Sequence, residues 1–184
     1  MKLRLALSLI ALAIITRLSL NLLPHPPHNF SPIAAMGLFG AVAFNRKWLA
    51  ILVPFAALFI SDLFLNNVIY SEYFSSFTLI TSWWLYAAFG LVMMIGWFLL
   101  KEKTNPSRII AASLLSSGVF FLISNFSTWL NGTMYPHNGA GLMTCYVAGL
   151  PFLSNTVLGD LFFTSVLFGA YFWAARLIPS KQEA

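Results

Sequence analysis

Charge is what this sequence has least of. Asp, Glu, Lys and Arg make up 8% of its 184 residues against 59% hydrophobic residues, and a soluble domain of this length has no single core large enough to hide so much apolar surface. The solvent for most of the chain is therefore expected to be lipid. Cysteine is nearly missing as well: the lone Cys145 excludes an internal disulfide framework and any multi-cysteine metal cluster. Walker phosphate loops, dinucleotide fingerprints and paired-histidine metal spacings are all lacking, as are repeats, heptads and low-complexity tracts. No ATPase of its own is visible, no cofactor is implied, and no nucleophile, base or metal set is paired in the manner of an enzyme.

What the chain does have is long apolar runs. About 20 apolar residues cross a hydrocarbon core roughly 30 Å thick, and the runs predict spans over 3–23, 32–44, 48–65, 76–100, 108–130 and 151–178. Apolar character continuing past Ala13 to Leu23 is too long for a cleaved signal core, so the first run is expected to stay as a span. The segment 24–31 (PHPPHNFS) cannot stay helical, because prolines remove donors and restrict the residues before them. Ser31 and Pro32 then suit an N-cap and a first helical position. The second run is short for a span and is expected to borrow flanking residues or to be sheltered by protein. Pro54 predicts a kink in the third, and 131–149 reads as a long uncharged loop. The whole of 1–184 is expected to form one compact all-α transmembrane bundle of about six helices.

A net charge of +5 is compatible with a nucleic-acid partner, but the ten basic residues are scattered in ones and twos at the ends of the apolar runs. Lys2 and Arg4, Arg46 and Lys47, Lys101, Lys103 and Arg108, and Arg176 and Lys181 all fall on one side of an alternating six-span arrangement. Cytoplasmic loops collect Lys and Arg, so the pattern predicts both termini in the cytoplasm of a bacterial inner-membrane, multi-pass protein and no nucleic-acid partner. Arg17, inside the first span, is the exception.

Ionisable groups within a bilayer are costly, which makes Arg17, Asp62 and Asp160 candidate site residues. At about 1.5 Å per helical residue they rise roughly 21, 21 and 17 Å above the cytoplasmic edge, one shared level in the outer half. Asn125 lies near that level, above a face carrying Ser113 and Ser117 that reads as helix contact or polar lining. Two carboxylates and one guanidinium leave a formal charge of −1, to be completed by a proton or a bound group, or else they form a bracing network. Outer loops add His25, His28, Asn29, Tyr135, His137, Tyr146 and Asn155, with Trp129 the tryptophan best placed to enter a pocket; such a lid suits a polar organic molecule. Small residues on the second span, Ala34, Gly37, Gly40 and Ala41, allow close helix approach, either within the chain or as a docking face for a partner helix.

Four stretches carry a family resemblance: HNFSPIAAMGLFGAVAF (28–44), PFAALFISDLFL (54–65), FFLISNFSTW (120–129) and GLMTCYVAGLPFLSNTVLGDLFF (141–163). The chain resembles a DUF6580-like family of uncharacterised bacterial membrane proteins described as transport proteins. More distantly it is similar to the S components of energy-coupling factor (ECF) transporters. That similarity implies a six-helix bundle with a vitamin-sized site near the outer surface, docking on a transmembrane coupling subunit that works with ATPase subunits. Only Gly37 and Ala41 keep the four-residue small spacing of those subunits. The expected function is therefore a substrate-binding subunit or solitary transporter for a small polar or vitamin-like solute, such as a vitamin taken up from outside. The alternative is a non-transporting scaffold of the cell-envelope or rod-shape machinery, in which the buried charges only brace helices.

Overall fold

The computed structural model describes residues 2–177, and the expected end of the last span at Ile178 and the charge of Lys181 lie outside the described residues. Among the described residues helices are the regular secondary structure of the chain, and there are no strands. Its helices are α1 (Lys2–Asn21), α2 (Ile33–Ala43), α3 (Lys47–Phe64), α4 (Trp83–Leu100), α5 (Pro106–Asn131) and α6 (Gly139–Leu177). A π-helical turn, Leu65–Ile69, extends α3. Five of the six helices are long and apolar enough to cross a membrane; α2 is not.

The exception is instructive. With 11 residues α2 reaches about 16 Å, half a hydrocarbon core. It is sheltered by protein instead: Ala35, Met36, Leu38 and Phe39 are fully buried, and Phe39 inserts edge-on between Phe168 and Tyr171 of α6 with ring centroids 5.6 and 5.2 Å away. The close approach shows at Gly40, where an added Cβ would come 2.5 Å from the Pro54 ring and 3.1 Å from the Ala50 carbonyl of α3. Ala34, Gly37, Gly40 and Ala41 are all buried within this chain. Of the two readings of these small residues, close approach within the chain is the one this burial matches, because the short helix is sheltered by its own neighbours.

α1 and α3 run in the same direction, since Arg17 near the end of α1 pairs with Asp62 near the end of α3. The segment between them, α2 with its extended flanks, must therefore carry the chain back through the bundle. Basic residues gather at the end where α1, α3 and α5 begin. There the ammonium groups of Lys101 and Lys47 lie 3.3 and 5.9 Å from the Trp97 ring. We refer to this as the basic end and to the other as the polar end.

Two boundaries differ from those the apolar runs predict. α4 begins at Trp83 rather than 76, because the Asn67 amide grips the Thr78 backbone from both sides: its oxygen accepts from the Thr78 N–H at 2.7 Å and its nitrogen donates to the Thr78 carbonyl at 2.9 Å. That clamp replaces the helical hydrogen bonds 76–82 would otherwise make. α6 begins at Gly139 and runs through Pro151. The Asn138 side chain caps it by accepting from the Gly141 N–H at 2.9 Å. The expected loop over 131–149 shrinks to 132–138, and Cys145 and Tyr146 become helical residues.

Candidate functional site

α1 turns one face inward along Ala6, Ile10, Ala13 and Arg17, whose spacings of four, three and four residues follow the helical period. This carries a guanidinium into the bundle near the polar end. It is met there by α3: one Arg17 Nη donates to Asp62 Oδ1 at 2.7 Å and the other to the Ser61 hydroxyl. Tyr86 of α4 donates its hydroxyl to the second Asp62 oxygen at 3.2 Å. Arg17 is 7% exposed and Asp62 4%. A buried pair of this kind is tolerable only with further hydrogen bonds around it, and here Ser61 and Tyr86 supply two of them.

Asp160 is held differently. It lies on α6 at 3% exposure, and its Oδ2 accepts one hydrogen bond, from the Ser117 hydroxyl at 2.6 Å. The Arg17–Asp62 pair is the one ion pair found among the described residues, so Asp160 has no cation of its own there. The three charges expected at one level are thus a closed pair and a separate carboxyl.

Both centres meet at a cavity of about 310 Å³ near the polar end. Arg17 and Asp160 form part of its wall, with Asn21, Tyr70, Thr156 and Ser31 as further polar groups and Ile33, Leu85, Phe89 and Phe120 as apolar ones. Asn21 sits one turn above Arg17, and its side-chain oxygen accepts from the Tyr70 hydroxyl at 2.6 Å, joining α1 to the end of α3. The segment 24–31 closes one side. It is fixed by Phe30, which packs on Phe162 and Phe163 at 5.9 and 5.2 Å, and by its approach to Gly159, where a Cβ would come 3.1 Å from the Phe30 Cα. Asn29 adopts the left-handed backbone conformation, φ 62°, which short polar side chains tolerate.

A second cavity, about 490 Å³, lies between α5 and α6 and shares His28, Asn29 and Phe120 with the first. Asn125 and Tyr135 line this one. The Asn125 amide donates back to the Phe121 carbonyl at 2.8 Å, so it is not part of the charged cluster. Trp129 and His137 line neither cavity. The Trp129 indole donates to the Pro136 carbonyl at 2.9 Å and its ring meets His137 at 5.6 Å, which closes the α5–α6 turn. Asn155 lines neither cavity as well. Cys145 is buried with its sulfur 3.3 Å from the Asn125 carbonyl, and no group of metal-ligating side chains occurs among the described residues.

Sequence reasoning missed Asn21, Tyr70 and Thr156. Asn21 carried a signal, since it follows Arg17 by one helical turn on the inward face. Thr156 stands four residues before Asp160 on the same terms. Tyr70 carried none, because its position depends on the turn that ends α3.

The family described as "Family of unknown function (DUF6580)" matches residues 1–181, and the chain belongs to it. No curated protein and no solved structure matches the chain.

Proposed function

We propose that this DUF6580 protein is a membrane transport protein that takes a small polar solute into the cavity between Arg17 and Asp160 and passes it across the bilayer. The observation that supports this reading is the cavity itself. A bundle that needed its buried charges only for bracing would close over them, whereas here two of the three side chains face a space of about 310 Å³. That volume stands at the small end of the range for ligand sites. The scaffold alternative has no comparable observation behind it.

We assign the basic end to the cytoplasm of a bacterial inner membrane and the polar end to the outer side, following the distribution of Lys and Arg. In this orientation both termini are cytoplasmic, and the solute enters beneath the segment 24–31. A role like that of an S component would add an energising partner. Because the small residues of α2 are packed on its own bundle, we place any such contact on another helix face.

The test is uptake from a defined mixture. Cells producing the protein are compared with cells lacking it and with cells producing Thr156→Phe, which fills the cavity. One compound, or a small group, should disappear from the medium only with the unaltered protein. Equal depletion in all three cultures, with the variant present in the membrane fraction, would remove the cavity from the transport reading and favour the scaffold.

A further inference from the structure

The charge around the cavity does not balance. Arg17 is neutralised by Asp62 at 2.7 Å, while Asp160 receives only the Ser117 hydroxyl at 2.6 Å. When ionised, Asp160 therefore gives the wall one negative charge that no described residue offsets. Isolated buried charge of this kind is expensive, and a bound opposite charge within a few ångström relieves it. An anion would add to the cost.

We propose that the solute carries a net positive charge on a protonated or quaternary nitrogen seated against Asp160; the inference rests on the transport reading above and names its substrate class. Size argues against a bare metal ion, since about 310 Å³ is the share of liquid volume of roughly ten waters. The aromatic rings of Phe30, Phe89 and Phe120 in the lining suit an organic cation, which aromatic faces attract. Arg17 uses two of its N–H donors on Ser61 and Asp62. The others remain for a carbonyl or hydroxyl elsewhere on the same molecule.

The experiment uses the full-length protein in mild detergent at about pH 8. Native mass spectrometry looks for co-purifying molecules, and thermal shifts are recorded with benzylammonium, tetramethylammonium, alanine and propionate. The cations should raise the melting temperature, or the co-purified molecule should be cationic, and Asp160→Asn should weaken that binding roughly tenfold or more. Thr164→Val, a near-isosteric change at a buried α6 position that lines neither cavity, should leave cation binding nearly unchanged. Equal losses in both variants would mean that packing rather than charge is at work and would overturn the proposal. Binding of propionate or alanine that survives Asp160→Asn would overturn the charge class while leaving the transport reading intact. Absence of any bound molecule and of any shift, from protein that elutes as a single species, would overturn both.

Discussion

Two buried carboxylates stand in this bundle, Asp62 on α3 and Asp160 on α6, and they are held in opposite ways. Asp62 has a guanidinium at 2.7 Å and a phenol at 3.2 Å; Asp160 has one hydroxyl at 2.6 Å. Their exposures are nearly the same, 4% and 3%, so burial does not distinguish them. Partnership does. Asp62 ties α1, α3 and α4 together through groups the chain itself supplies, which is what a structural charge requires. Asp160 stands at a cavity with no cation paired to it among the described residues, as expected of a group whose partner comes from outside. On the proposed transport reading the difference divides a fold-bracing carboxylate from a solute-facing one, and it can be tested by removing each partner in turn.

The largest effect should come from breaking the closed centre. Asp62→Ala strands the Arg17 guanidinium, and loss of one partner from a buried pair costs about 3–5 kcal/mol. Unfolding in detergent, followed by circular dichroism, should show it as a large fall in melting temperature. The double variant Arg17→Met with Asp62→Leu should recover most of the loss, since apolar replacement of a whole pair is often neutral. A double variant no more stable than the single one would show that the pair specifies the fold rather than merely being tolerated in it. A smaller effect follows from Tyr86→Phe, which removes one hydrogen bond to Asp62 and leaves the ion pair in place. The expected loss is about 0.5–1.5 kcal/mol. A loss as large as that of Asp62→Ala would mean that the phenol, not the guanidinium, holds the centre.

The sequence disclosed this contrast in part. Rarity of charge singled out Arg17, Asp62 and Asp160, and the helical period of α1 was legible in Ala6, Ile10 and Ala13 leading to Arg17. Which aspartate Arg17 would meet was not legible, because depth along a span does not report azimuth around the bundle. The long apolar runs marked five helices well. They misplaced the starts of α4 and α6, where Asn67 and Asn138 redirect the backbone through hydrogen bonds that hydropathy does not register. The small residues of α2 signalled close approach, yet spacing alone is silent on whether the neighbour is the same chain or another. Trp129 and His137 looked like site residues because aromatic and imidazole groups in a loop suit both binding and turn closure, and here the turn claims them.

The smallest stability effect should belong to the open centre. Asp160→Asn keeps an oxygen to accept from Ser117 and removes the charge, so the interaction lost is slight and the desolvation penalty falls. Melting of the ligand-free protein should stay within about 1 kcal/mol of the unaltered chain, or rise. The same substitution is the one expected to weaken cation binding roughly tenfold or more, and the two readouts should therefore part. If Asp160→Asn destabilised the ligand-free protein as much as Asp62→Ala, the two carboxylates would be alike. Asp160 would then be a bracing group whose partner the described contacts do not include, and the cavity would lose the charge that gives it a substrate class. A stable, non-binding Asp160→Asn protein beside an unstable Asp62→Ala protein would instead fix the division of labour: one aspartate answers to the fold, the other to the solute.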